Sequence, residues 1–381
     1  MIDVRRYLAS VRAVARHHSG PTGRRVLAGV LIGYPLAEAL IRSARALDHL
    51  VAPGQRTQAV RAPVFVVGHP RSGTTWLHRL LALDADRFTT PRAWQVVVPA
   101  VSLYRLARAA NRHVDLQRLE SWSERALFGA IVDHHPTTWR APEEDSWLFL
   151  HTWSTPTLEF LTAAPALTRA LWIADALPAQ ENERRMRWYR RSVQRHLFAT
   201  APDATLLSKN PHFAGWIRSL ARAFPSARFI LLTRDPAEAI TSRLRLVTTT
   251  WQAAQPMLRR DDPRMREMFD ASCALYRHAE ACWTELSPDR KHRVRYDDLI
   301  RDPVGEVRAI RDHFGWGLGG DLQRATEEQA RLARRRLPSS PVRLRRFGLR
   351  EADLARALGD LSSLWEHLGR RPPSPRPWNP V

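Results

Sequence analysis

Lysine is scarce in this chain of 381 residues: only Lys209 and Lys291 stand among its 59 basic side chains, and the rest are arginine. Against 38 acids this leaves a formal charge of +21. Such a balance points to an anionic partner, but it does not choose among nucleic acid, an acidic membrane surface, a polyanionic substrate and a phosphorylated nucleotide. An arginine bias also follows from genome base composition, so the charge alone names no function. Cysteine is nearly absent as well. Cys273 and Cys282 lie nine apart in a stretch of helical pattern, with no C-x-x-C pair and no histidines at zinc spacing. That argues against a disulfide scaffold and a structural zinc, and no metal is expected.

Long hydrophobic runs are missing too. The longest, Val26 to Ile41, falls short of the roughly 20 residues a spanning helix needs, and Pro35 and Glu38 interrupt it. It follows Arg24 and Arg25 and leads to no clear small-residue cleavage site, so a signal peptide is a poor reading. A reducing, cytoplasmic setting is expected, with peripheral membrane contact through the basic N-terminal residues left open.

What is present is ordinary globular material, 44% hydrophobic and 25% charged, long enough for one large α/β domain with insertions or for two modest domains sharing a cleft. Residues 1–62 read as a basic helical arm, with ten arginines against Asp3, Glu38 and Asp48. Pro63 then introduces Val64-Phe65-Val66-Val67, a short continuous apolar run of the kind buried on both faces of a parallel sheet. Gly68 to Gly73 forms a loop, and Leu77, Leu80 and Leu81 share one side of the helix that follows. Residues 92–200 read as a mostly helical insertion, carrying Trp122, Trp139, Trp147, Trp153, Trp172 and Trp188, for most of which core packing is the plainer use.

A second βα pattern begins at Leu206-Leu207-Ser208, runs through a helix near 213–224, and enters a strand at Arg228 to Thr233. Asp235, Pro236 and Glu238 then have the chemistry of a helix start. Val294-Arg295-Tyr296 is a last short strand, helices follow over 303–314 and 351–368, and the Pro-rich end reads as an extended tail. Alternating strands and helices predict an α/β fold around a parallel sheet, with a domain over 63–349 and a C-terminal helix and tail over 350–381.

The loop GHPRSGTTW has the glycine spacing of a Walker A segment, yet Thr74 stands where a nucleotide triphosphatase carries its lysine. The loop still offers backbone N–H groups, the hydroxyls of Ser72, Thr74 and Thr75, and a helix N-terminus, enough for one or two anionic groups. Its basic residue is displaced to Arg71. This suits a 5′-phosphosulfate better than a triphosphate with magnesium.

At this point the sequence resembles the sulfotransferases that use 3′-phosphoadenosine 5′-phosphosulfate (PAPS), whose signature matches PRSGTTW with lysine in place of Arg71. The resemblance runs from about Pro63 to Leu349 and implies a P-loop-like three-layer fold. It places Arg71, Ser72, Gly73, Thr74 and Thr75 around the 5′-phosphosulfate and Trp76 near the adenine. It also assigns Arg234 and Ser242, in LLTRDPAEAITS, to the 3′-phosphate. A guanidinium and a hydroxyl suit that task, although Arg234 also has Asp235 beside it for an ion pair.

Lys209, in LLSKNPHF, resembles the family's conserved lysine. For the base that takes the acceptor proton, His212 follows at the position of the catalytic histidine of cytosolic members, while HHPTTWRAPEED resembles a bacterial group in which His135, Glu143 or Glu144 serves. Glu143, Glu144 and Asp145 also read simply as acids complementing a helix N-terminus after Pro142. SSPVRLRRFGLR resembles the late F-G-L segment of bacterial members, with Val342 where several carry an aromatic, and Arg343, Arg345 and Arg346 are either phosphate clamps or a solvated face.

The implied function is sulfuryl transfer from PAPS to a hydroxyl or amine of a small-molecule, glycan or lipid-linked acceptor. A kinase would share the loop but lacks its lysine here, and a specific nucleic-acid binder would show a helix-turn-helix, zinc finger or RNP signature, none of which is present.

Overall fold

A computed structural model describes residues 2–113, 138–317, 319–334 and 343–373. Five parallel strands, β1 (Val64–Gly68), β2 (Phe88–Thr89), β3 (Thr205–Lys209), β4 (Arg228–Thr233) and β5 (Lys291–Arg295), form one sheet in the order β2-β3-β1-β4-β5. All of β1 is buried, as its unbroken apolar run requires once helices cover both faces. Phe65 and Val67 point into a large core with Tyr189, Phe213, Phe229 and Trp251. Val64 and Val66 point the other way, to Leu77, Leu80, Val294 and Ile310.

From β1 the chain passes to the edge strand β2, returns inward to β3 beside β1, and then crosses β1 to reach β4 on its other side. The chain therefore switches direction beside β1, and the carboxyl ends of β1, β3 and β4 open a crevice there, the usual ligand position in such sheets.

Four elements differ from the sequence reading. The last strand is Lys291–Arg295, so Tyr296 opens a helix instead of closing the strand, and the helix expected near 213–224 is a 3₁₀ turn, Pro211–Gly215, followed by the helix Ile217–Ala223. The apolar run beginning at Val26 belongs to a continuous helical stretch, Gly20–Val51, long and apolar enough by length and composition to cross a membrane. Pro35 does not break it, because a π-turn at Gly29–Gly33 widens the backbone just ahead of the ring, and the Tyr34 N–H reaches back to the Gly29 carbonyl. Near the C-terminus, the single helix expected over 351–368 is two, Glu351–Leu358 and Ser362–Leu368, separated at Gly359 to Leu361. Both send apolar side chains, among them Leu354, Leu358, Leu364 and Trp365, into the large core.

Glu38 and Asp48 hold the long helix down. Glu38 pairs with His151 at 2.8 Å, and Asp48 accepts the backbone N–H groups of Val101 and Ser102 at 2.7 Å each. Both carboxylates are buried and paired, as buried charges must be.

Candidate active site

The loop after β1 is shaped by two glycines. A Cβ at Gly68 would meet the Leu232 carbonyl oxygen at 2.4 Å, and one at Gly73, where φ is +95°, would meet the Tyr296 ring at 2.7 Å. Arg71 also has a positive φ, +75°, unusual for a residue with a Cβ. That conformation sends its side chain across the crevice, where its Nε donates to Ser242 Oγ at 3.2 Å.

Arg234 leaves the carboxyl end of β4 and donates to the Arg71 carbonyl at 3.1 Å. Its guanidinium lies 4.3 Å over the Tyr296 ring and pairs with Glu238 at 3.0 Å, rather than with adjacent Asp235. Asp235 instead caps the next helix by accepting the Glu238 N–H, the role its sequence context indicated. Burial lowers the Arg71 pKa, with the Arg245 and Arg234 charges adding to the effect. An anion placed between Arg71 and Arg234 relieves that repulsion.

On the other side of the loop, Lys209 ends β3. Its side chain is fully buried, and Nζ donates to Thr75 Oγ1 at 3.2 Å and to Glu144 Oε1 at 2.7 Å. Thr75 thus ties the loop after β1 to the lysine and carboxylate. Glu144 stands at the N-cap of the 3₁₀ helix Asp145–Thr152 without capping it, its side chain turned to Lys209 and 20% exposed. The three neighbouring acids separate in role. Glu143 is buried and accepts the Glu144 N–H at 2.8 Å. Asp145 is buried against the Tyr189 hydroxyl, and burial pushes its carboxyl up to about 7.

His212 sits in the short helix Pro211–Gly215 with its ring edge-on to Trp172. Both ring nitrogens are buried without a hydrogen-bond partner, and burial lowers its pKa to about 4, so the imidazole is neutral at pH 7. His135 and Trp122 lie outside the described residues. Trp76 is half-buried against the β1 core. Trp153 and Trp172 are core side chains, and Trp188 donates its indole N–H to the Leu148 carbonyl. Arg343, Arg345 and Arg346 are exposed, while Leu344 and Phe347 between them anchor the turn in the core.

Sequence reasoning missed Tyr296 and Tyr276. Tyr296 floors Arg234 and abuts Gly73, and Tyr276 donates to the Arg234 carbonyl at 3.1 Å while stacking on His69. Neither carries a motif. Arg370 was missed as well: it pairs with Asp235 at 2.5 Å and with Asp297 at 3.3 Å, fastening the C-terminal segment to the start of the Ser242 helix.

The donor set fits two separate anionic groups. Ser72 Oγ in the loop is buried beside the Tyr276 hydroxyl, and the first N–H groups of the helix Thr74–Leu81 have no carbonyl ahead of them within the helix. Lys209 flanks one end of the loop, and Arg71, Arg234 and Ser242 flank the other.

A family model described as "Sulfotransferase family" matches residues 63–318. A curated relative, the omega-hydroxy-beta-dihydromenaquinone-9 sulfotransferase Stf3 of Mycobacterium bovis, is 30% identical over 262 residues, which are 67% of this chain and 63% of the relative. The match therefore spans less than two thirds of that relative's length. Among solved structures, sulfotransferase STF9 from Mycobacterium avium superposes with a TM-score of 0.70 at 18% identity, covering 95% of this chain and 96% of its own. STF1 from Mycobacterium tuberculosis gives 0.65 at 18% identity, covering 96% and 91%. At that identity the two structures share the fold.

Proposed function

The chain belongs to the sulfotransferase family, and from that premise we propose that it moves a sulfuryl group from PAPS to the hydroxyl of a small, lipid-like acceptor. The observation that carries this reading is the pairing of Lys209 with both Thr75 of the phosphate loop and Glu144, which sets a cation and a carboxylate side by side where the loop presents its hydroxyls.

In this reading Ser72, Gly73, Thr74 and Thr75 hold the 5′-phosphosulfate with backbone N–H groups and hydroxyls, and Arg71, Arg234 and Ser242 hold the 3′-phosphate. Arg71 spans the two groups, because its backbone belongs to the loop while its side chain reaches Ser242. Trp76 is assigned to the adenine side. PAPS supplies an activated sulfuryl group. The acceptor oxygen forms a bond to sulfur as the bond from sulfur to the bridging phosphate oxygen breaks, and 3′-phosphoadenosine 5′-phosphate leaves with the electron pair. Lys209 offsets the negative charge that grows on the bridging oxygen, and Glu144 takes the acceptor proton.

Glu144 is preferred to His212 as the base because its carboxylate is partly exposed beside Lys209, whereas the His212 ring nitrogens are enclosed. The loop carries Thr74 in place of a Walker lysine, which disfavours a phosphoryl-transfer reading.

The relative's name gives its acceptor as an omega-hydroxylated menaquinone, an alcohol on a long apolar chain. Carried to this chain, it favours a terminal hydroxyl on a lipid over a glycan or an amine. Two free, buried thiols suit a reducing, cytoplasmic compartment. The test is a transfer assay with sulfur-labelled PAPS and a panel of long-chain alcohols, amines and oligosaccharides. Label is expected in a sulfate ester of an apolar alcohol, with one nucleotide product per ester. Label transfer to none of them, with phosphoryl transfer from ATP instead, would refute the reading.

A further inference from the structure

The outer side of the helical stretch Gly20–Val51 is apolar and uncovered among the described residues. Leu31, Ile32, Leu36, Leu40, Leu47 and Leu50 are 47 to 80% exposed. From Tyr34 on, the helix divides by its own periodicity. Tyr34, Glu38, Ile41, Arg45 and Asp48 recur at helical spacing toward the protein, and Leu36, Leu40, Ser43, Leu47 and Leu50 recur on the opposite side. Such a face, apolar but for Ser43, whose hydroxyl donates to the Ala39 carbonyl, marks an interaction surface on a folded chain.

The charges around this face have one sign. The only acids among residues 2–62 are Asp3, Glu38 and Asp48, and each is engaged: Asp3 caps its own helix and pairs with Arg6, Glu38 pairs with Arg42 and His151, and Asp48 accepts two backbone N–H groups. Arg24, Arg25, Arg5 and Arg12 are exposed toward solvent. A basic N-terminal segment that exposes apolar side chains along its long helix, and whose own three acids are all engaged, complements an anionic lipid bilayer. It is less suited to a second copy, which would bring arginines against arginines.

The anchors also decide the orientation. Crossing a bilayer would require the helix to leave the protein, exposing the Glu38–His151 pair and the Asp48 carboxylate to hydrocarbon and breaking the bond from the Tyr34 hydroxyl to the Leu150 carbonyl. We infer that residues 28–51 lie flat in the headgroup region of an anionic membrane, with Leu36, Leu40, Leu47 and Leu50 inserted and the protein seated above. The surface is independent of the proposed reaction. Where both hold, the acceptor reaches the site from the membrane.

The test uses the full chain and sucrose-loaded vesicles of phosphatidylcholine alone or with phosphatidylglycerol. The protein is expected to sediment with the anionic vesicles and to be released by raised salt. The combined Leu36→Gln, Leu40→Gln and Leu47→Gln variant should lose roughly tenfold or more in partitioning, since each change removes an inserted apolar group. Its unfolding temperature and its stabilisation by 3′-phosphoadenosine 5′-phosphate should be unchanged. Leu50→Gln alone, at the most exposed of these positions, provides a milder variant whose partitioning should fall by a smaller factor. Unchanged partitioning in these variants, protein left in the supernatant with both vesicle types, resistance to alkaline carbonate extraction, or a lipid-free dimer that the triple variant dissociates would each overturn the inference.

Discussion

Arg71 Nε donates to Ser242 Oγ at 3.2 Å, joining the loop after β1 to a helix 171 residues further along the chain. Since Arg234 also donates to the Arg71 carbonyl, the regions assigned to the 5′- and 3′-groups of the donor are one hydrogen-bonded unit. Ser242→Ala and Arg71→Ala should therefore each weaken binding of 3′-phosphoadenosine 5′-phosphate, and the double variant should lose less than the sum, with a coupling of about 0.5–3 kcal/mol. Calorimetric titration of the four proteins measures it. Additive losses would mean that the two residues act separately.

Lys209 and Glu144 make a second joined pair, and the proposed roles separate them by readout. Glu144→Gln should lower kcat by roughly 10²–10⁴ while nucleotide binding is retained, the range for loss of a general base. Lys209→Met should lower kcat and also weaken the donor complex, with Lys209→Arg recovering it only in part because a planar fork does not reproduce a compact ammonium. His212→Asn should leave kcat within a few-fold, since its ring nitrogens are enclosed. If His212→Asn abolishes turnover in a folded protein while Glu144→Gln does not, the base has been misassigned.

Much of this site was legible because its parts are short and local. Strand β1 is a continuous apolar run, the loop glycines are forced by close approach to Leu232 and Tyr296, and Asp235-Pro236 starts its helix as such residues do. The partner of Glu144 was not legible, because a carboxylate after Pro142 reads equally well as a first-turn acid. Only the fold brings Lys209 to it from the end of β3. Tyr296 and Arg370 left no trace for a similar reason, their roles arising from contacts across the sheet and from the C-terminal segment. Pro35 misled in the other direction, because a π-turn a few residues earlier lets the helix continue through it.

Buried imidazoles set the dependence of stability on pH. Burial lowers the pKa of His69, His78 and His196 to about 3 and that of His212 to about 4. Each contributes stability that is present above pH 6.5 and is lost as the pH falls toward 4, because the unfolded chain binds protons that the folded one refuses. Asp145 acts in the opposite sense. Its carboxyl, raised to about 7, costs stability as the pH rises from about 4 to 7, because the unfolded chain releases a proton that the folded one keeps. Four imidazoles outweigh one carboxyl, so the unfolding temperature should fall between pH 6.5 and 4. Asp145→Asn should steepen that fall. A flat or rising profile over this window, read by scanning calorimetry, would contradict the burial assigned to these groups.

The most direct test of the whole account is nucleotide selectivity measured as thermal stabilisation. The chain should be stabilised by 3′-phosphoadenosine 5′-phosphate without added metal, much less by ADP at the same concentration, and the difference should collapse in Arg234→Ala. Equal stabilisation by the two nucleotides, or a shift seen only with ATP and magnesium, would contradict it.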